Sequence, residues 1–234
     1  MAGQLTIPAR FNGPLENGQG GYAAGIFAAT LEGPVEVTLR RPVPLDTALS
    51  AAVEDGTVRV LDGEELIAEG REVPGFDLEA PEPVGVEEAR EAMSRYRGLP
   101  EGPFSRCFVC GKAREDALGV FAGPLENRPL VASTWTPPPH TSGADGTVRP
   151  EFLWAVLDCP TFFAAYLDDE ELPISFLARL TARIDAPVAA GEEHVVIAWP
   201  LEAEGRKRQA GSALLSVDGE VLARALALMI EPRG

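Results

Sequence analysis

The chain has 234 residues, of which 45% are hydrophobic and 24% charged, and it carries a formal net charge of −16 at pH 7. Such a composition suits one large buried core or two small ones, and a chain of this kind folds without help. The acidity excludes a nucleic-acid backbone as the expected partner, because such binders carry a basic face that displaces counterions.

The opening residues, Met1-Ala2-Gly3-Gln4-Leu5, lack a basic region followed by an apolar run, so no signal peptide is expected and the protein is read as cytoplasmic. The longest apolar stretch, Phe152 to Leu167, is interrupted by Asp158 and Pro160 and falls short of the ~20 residues that a membrane span needs, so no membrane partner is expected. Three cysteines, an odd number, give no disulfide framework.

In chain order, Gln4 to Phe11 alternates as a strand, and a turn-rich loop with Asn12-Gly13-Pro14 and Asn17-Gly18 follows. Gly20-Gly21 opens an apolar helix from Tyr22 to Leu31. Strands follow at Val35 to Arg41 and Leu49 to Val53, then a hairpin closed by Asp62-Gly63, a dipeptide that tolerates the positive φ of a tight turn. Ala80-Pro81-Glu82-Pro83 begins a linker, and Val86 to Arg97 reads as an exposed acidic helix. Beyond Phe104 come a strand at Leu130 to Trp135, a loop through Pro137-Pro138-Pro139, and the helix Phe152 to Leu167. Strands at Leu177 to Ile184, His194 to Leu201, Ala213 to Val217 and Leu222 to Ile230 complete the chain with period-two patterning.

The order repeats. Asp62-Gly63-Glu64 with Leu66 returns as Asp218-Gly219-Glu220 with Leu222, and the strand running into Pro42-Val43 returns before Pro187-Val188. A helix lying against a curved antiparallel sheet, stated twice, is an α+β arrangement of two similar units, here residues 1–80 and 104–234 joined by a linker over 81–103. Sites in such an object lie between the halves.

Several residues carry candidate chemistry. Gly18-x-Gly20-x-x-Ala23 fits the dinucleotide fingerprint only formally, because no buried parallel strand precedes it. Its glycines leave backbone N–H groups open at a helix N-terminus, where negative charge is favoured. Asp158 lies among apolar neighbours, so it is either a buried base with a raised pKa or a structural residue at the start of a new helix opened by Pro160. Cys107-x-x-Cys110 is half of a zinc pattern, with His140 and Cys159 as distant partners. No second pair at ligand spacing is present, so ordinary buried cysteines and no metal are expected. Arg206-Lys207-Arg208 and Arg40-Arg41 are the basic runs able to hold a phosphorylated ligand. The absence of Gly-x-Ser-x-Gly speaks against a Ser-His-Asp hydrolase.

Taken in order, Cys107-Phe108-Val109-Cys110-Gly111, Leu130-Val131-Ala132, Leu157-Asp158, Asp218-Gly219 and Leu222-Ala223-Arg224-Ala225 resemble a complete hotdog thioesterase. Asn17-Gly18-Gln19-Gly20-Gly21-Tyr22 and Leu39-Arg40-Arg41-Pro42 resemble the first domain of medium-chain and long-chain acyl-CoA thioesterases. The resemblance implies a fused double hotdog, with two antiparallel sheets each wrapped on a central helix.

In the phenylacetyl-CoA type of that family, a His-Gly-Gly start to the helix supplies a backbone donor, and an Asp eight residues after the first Gly comes from the partner's helix. Here Gln19 stands in place of the His, the donor position is Gly20, and Ala28 fills the acid position. In the second half the acid is Asp158, and its donor position is Pro150, which has no N–H. The resemblance therefore implies one composite site, with Asp158 as base or nucleophile and the Gly20 and Gly21 N–H groups as oxyanion donors. Asn12 (or Asn17) and Ser175 are the supporting positions. Arg206, Lys207, Arg208 and Arg40 would hold the phosphates of CoA, which enters as part of an acyl-CoA substrate and not as a separate cofactor. A non-catalytic acyl-CoA or lipid-binding module is the alternative, and exposed sheet edges leave room for a homodimer.

Overall fold

The computed structural model describes residues 3–14, 16–98 and 101–233. The expectations resting on Met1, Ala2 and the linker residues Leu99 and Pro100 lie outside the described residues. The first half contains β1 (Gly3–Leu5), α1 (Gly20–Ala28), β2 (Val35–Leu39), β3 (Leu49–Glu54), β4 (Thr57–Asp62) and β5 (Glu65–Glu72). Next comes α2 (Val86–Met93), then β6 (Gly123–Pro124), β7 (Val131–Trp135), α3 (Pro150–Ala165), β8 (Phe176–Ile184), β9 (His194–Glu204), β10 (Lys207–Leu215) and β11 (Val221–Ile230).

Two local expectations are corrected. The strand read over Gln4 to Phe11 stops at Leu5, because Pro8 has no N–H for a ladder, and residues Ala9–Phe11 wind into a 3-10 turn. Pro160 does not start a new helix: α3 runs through it unbroken. Pro160 leaves the Val156 carbonyl without its helical donor, and on the same turn the Thr161 hydroxyl donates to the Asp158 carbonyl at 2.6 Å and the Ser212 hydroxyl to the Leu157 carbonyl at 2.7 Å.

All strand pairs are antiparallel, and they join one eleven-stranded sheet in the order β1-β3-β4-β5-β2-β8-β11-β10-β9-β7-β6. This corrects the expectation of two separate sheets. The joint is β2 against β8, in register from Val35↔Ala182 to Thr38↔Arg179. Val35, Val37, Leu180 and Ala182, whose alternation marked both strands in the sequence, are buried there on one face.

Reading the sheet outward from that joint gives β5, β4, β3, β1 on one side and β11, β10, β9, β7, β6 on the other, so every strand except the two-residue β6 has a counterpart. The loops match bond for bond. Phe11 N–H to the Pro8 carbonyl, Gly13 to Asn17, Gly18 to Val43 and Gln19 to Phe11 recur as Thr141 to Pro138, Gly143 to Thr147, Val148 to Val188 and Arg149 to Thr141.

Helices α1 and α3 are apolar nearly all round, which fits a helix with no solvent face. They pack together within the main core, where Phe27, Phe152, Leu153 and Leu157 are almost wholly buried. Each such side chain contributes on the order of 1.5–3 kcal/mol. Gly21 and Gly25, one turn apart, let the helices touch: a Cβ on Gly21 would lie 2.5 Å from both the Asp158 Cβ and the Trp154 carbonyl oxygen. On Gly25 it would lie 2.7 Å from the Glu151 Cα.

Helix α2 is less exposed than its composition suggested. Its Ala89 and Ala92 are fully buried against Leu130, Ala132, Val195 and Ile197. On β9, Val195 and Ile197 belong to this smaller core whereas Val196 and Ala198 belong to the main one, so α2 covers the opposite face of the sheet.

Candidate active site

The N-terminus of α1 has four N–H groups without helical partners, and three of them are accounted for. Gln19 N–H donates to the Phe11 carbonyl at 2.9 Å, and Tyr22 N–H donates to Gln19 Oε1 at 2.6 Å, so Gln19 is the N-cap. Gly21 N–H donates across the helix pair to Asp158 Oδ2 at 2.8 Å. Gly20 N–H has no acceptor among the described residues.

The cap also settles how the Gln19 amide is oriented. Oε1 must face the Tyr22 donor, which turns Nε2 toward α3, where it donates to Asp158 Oδ2 at 2.6 Å. Asp158 Oδ2 thus takes two donors from the other helix. Oδ1 has none among the described residues, and Asp158 lines the adjoining cavity. Asp158 is buried, and burial pushes its carboxyl up to about 7 against the lowering influence of the Gly21 N–H.

That cavity has a volume of about 450 Å3 and a mostly apolar wall. Gln19, Gly20 and Asp158 meet in it, with Phe104, Phe162 and Phe176 along its length. Its size and its few convergent polar groups are those of a small-molecule site.

The remaining sequence candidates divide. Ser175 lines the cavity and is buried, with its Oγ 3.0 Å from the Tyr166 hydroxyl. Arg40 lines it too and pairs with Glu69, beside Arg41, which pairs with Glu65 at 2.8 Å. Asn12 is buried outside the lining, where its Nδ2 donates to the Arg106 carbonyl at 3.1 Å and its Oδ1 accepts from Arg114 at 2.7 Å. It ties the loop before α1 to the cysteine-bearing loop. Asn17, the other reading, does line the cavity.

Arg206, Lys207 and Arg208 form the β9–β10 turn and the start of β10, outside the lining. Arg206 donates to the Glu231 carbonyl, and Arg208 lies 5.1 Å over the Tyr166 ring and 3.4 Å from Asp169. Cys107, Cys110 and Cys159 all line the cavity. His140 is elsewhere, edge-on to Phe152 with centroids 6.3 Å apart.

The corresponding place at the start of α3 has no such assembly. Arg149 makes no side-chain cap there and pairs instead with Glu151 at 3.3 Å, Pro150 has no N–H, and Ala28 is buried at the acid position. Gly21 also departs from its expected role, because its N–H is engaged by Asp158 and is not a free donor. Gln19 is the residue that motif reasoning undervalued. Its signal was positional: a polar side chain immediately before Gly20-Gly21 and an apolar helix is an N-cap candidate.

No family model and no curated protein matches this sequence. Solved structures do match along the whole chain. The tesB protein of Mycobacterium avium subspecies paratuberculosis is 13% identical, with 99% of this chain and 92% of that chain covered, at a TM-score of 0.63. A conserved protein of unknown function with a hot dog fold from Alicyclobacillus acidocaldarius is 12% identical, with 100% and 94% covered, at 0.65. The acyl-CoA thioesterase II TesB2 of Mycobacterium marinum is 11% identical, with 100% and 93% covered, at 0.60. The chain therefore has the hotdog fold.

Proposed function

We propose that this protein hydrolyses acyl-CoA thioesters at one composite site between two fused hotdog units, residues 1–80 and 104–234. The matched strand order, the recurring loop bonds and the β2–β8 joint support the reading as an internal duplication. The thioesterase names of neighbours such as the Mycobacterium marinum protein support the reaction class.

The observation that carries the proposal is the hydrogen bond from Gly21 N–H to Asp158 Oδ2, which puts the start of one helix against the acid of the other. Two donors hold Oδ2, and Oδ1 is left to take a proton from water in the cavity. That water attacks the thioester carbonyl, and the Gly20 N–H, at the positive end of α1, stabilises the oxyanion. The apolar wall takes the acyl group. Arg40 and Arg41, at the cavity, and the basic turn Arg206-Lys207-Arg208, outside its lining, are the cations available to the CoA phosphates.

The test is release of free thiol from a panel of acyl-CoAs by the wild type, Asp158→Asn and Gly20→Pro. Gly20→Pro copies the donor-less Pro150 of the second half. Turnover by the wild type alone supports the reading. Binding of CoA analogues with no release of thiol by any of the three would assign the alternative, a binding module that kept the cavity and lost the chemistry.

A further inference from the structure

The proposed hydrolysis leaves the cysteines unused, yet the fold gathers every cysteine of the chain into one place. Cys107 and Cys110 come from the loop before β6, and Cys159 comes from α3. Their three Sγ atoms lie within 4.8 Å of one another, with Cys107 and Cys159 at 3.8 Å. All three are free thiols.

We propose that Cys107, Cys110 and Cys159 bind one zinc ion whose fourth position opens to the cavity. Tetrahedral zinc with Zn–S bonds of about 2.3 Å sets its sulfurs about 3.8 Å apart. The Cys107–Cys159 spacing already matches this, and the third sulfur needs to move by less than the length of a bond. Three thiolates are soft ligands, which select zinc over magnesium or calcium.

The surroundings are built for thiolate charge. The Cys107 and Cys159 sulfurs already share a contact at 3.8 Å. Gln19 Nε2 reaches the Cys159 sulfur at 3.5 Å. The loop is wound too tightly for a side chain at its end: a Cβ on Gly111 would stand 2.5 Å from the Cys107 nitrogen and 2.6 Å from the Cys107 and Ser105 carbonyl oxygens. Gly111 N–H to the Cys107 carbonyl at 2.8 Å and the Tyr96 hydroxyl to the Cys110 carbonyl at 2.6 Å fix that winding. A loop pinned this firmly presents its two sulfurs in a set geometry.

Among the described residues no fourth His, Cys, Asp or Glu joins the group. Three protein ligands with a position left for water or a small ligand is the pattern of an open zinc site rather than a closed structural one. Bound there, the ion would clamp the 104–111 loop to the turn of α3 that carries Asp158. Binding displaces the thiol protons to the buffer, so it is pH-dependent.

The test uses the full chain, reduced and then incubated with zinc alone, with the metal content measured after gel filtration. We expect one zinc per chain and a higher thermal midpoint, both lost in Cys159→Ser. That change lies at a half-buried helix position and should leave the far-ultraviolet circular dichroism unchanged. Zinc content near zero in the reduced wild type would overturn the proposal, as would wild-type zinc content in either Cys107→Ser or Cys159→Ser. Where a variant does not fold, cobalt loading of the wild type decides: thiolate-to-cobalt charge-transfer bands support the site, and their absence in cobalt-loaded protein refutes it.

Discussion

Gly21 N–H donates to Asp158 Oδ2 at 2.8 Å across two helices whose residues stand 137 apart in the chain. The bond exists because Gly21 has no side chain: at this crossing even a Cβ would collide with the Asp158 Cβ and the Trp154 carbonyl. One residue thus serves helix packing and the placement of the carboxylate at once. It lets α1 and α3 close on each other, and it holds the carboxylate of one against the N-terminus of the other.

Gly21→Ala should therefore damage both properties. Overpacking at a close helix contact costs about 1–3 kcal/mol, and the helices must part by enough to break the bond to Asp158. Chemical denaturation and thioester hydrolysis should fall together. Gly20→Ala is a milder change, because its Cβ would meet the Leu177 side chain, at 2.9 Å from Cδ2, which can turn aside. Equal losses in the two variants would argue against the crossing as described.

Gln19 is expected to be a positioning residue. In Gln19→Leu the N-cap is lost, at about 0.5–2 kcal/mol, and Oδ2 of Asp158 keeps only one donor. The turnover number should fall with little change in KM. Gln19→His should recover activity, since an imidazole can accept from Tyr22 N–H with one nitrogen and donate to Asp158 with the other. A purely structural cap would give lower stability with an unchanged turnover number and no such rescue.

How much of this could be read from the sequence depended on the range of the interactions. Period-two runs and turn dipeptides are local, so β2 to β5, β8, β9 and β11 were legible, as was Gly63 with its φ of +58°, whereas β10, read over Ala213 to Val217, starts six residues earlier at Lys207. The repeat was legible because its Pro-Val and Asp-Gly landmarks recur in order. Joining of the halves into one sheet was not, because nothing in β2 or β8 alone specifies an edge partner. The thiol cluster was only partly legible for the same reason. Cys107-x-x-Cys110 shows as a pair with His140 and Cys159 as distant partners, and only tertiary packing, which brings in Cys159 from 52 residues away and leaves His140 against Phe152, decides between them. The basic turn at Arg206 to Arg208 stood out in an acidic chain by contrast of charge, and charge contrast does not say which groups line a cavity.

The arginines at the cavity give a kinetic expectation. If Arg40 and Arg41 hold phosphate groups remote from the reacting carbonyl, replacing both with alanine should raise KM and leave the turnover number nearly constant, because the lost contacts are the same in the ground and transition states. The effect should shrink at high salt. A fall in the turnover number with constant KM would place the phosphates elsewhere.

His194 should add a pH dependence to stability. It is buried on β9, with Nδ1 2.9 Å from the Glu192 carbonyl oxygen and its ring beside Trp135, and burial holds its pKa below the usual 6.5. The nearby Glu192 charge opposes that shift without reversing it. The unfolded chain then binds the proton more readily, so this contribution is full above about pH 6.5 and is lost as the pH falls toward the folded value. His194→Asn should lose less stability than the wild type between about pH 8 and about pH 5 in urea titrations. Parallel curves for the two proteins would exclude the effect.

The central claim is that Asp158 does the chemistry from a site its burial makes costly. The direct measurement is thiol release from acyl-CoA substrates by wild type and Asp158→Asn, with thermal unfolding of both at about pH 8, where a buried carboxylate is ionised. The asparagine can still accept from Gly21 N–H and Gln19 Nε2, and it carries no charge to bury. Hydrolysis by Asp158→Asn should be lower by about 10²–10⁴-fold, with a thermal midpoint equal to or above that of the wild type. Unchanged hydrolysis in Asp158→Asn would contradict the claim.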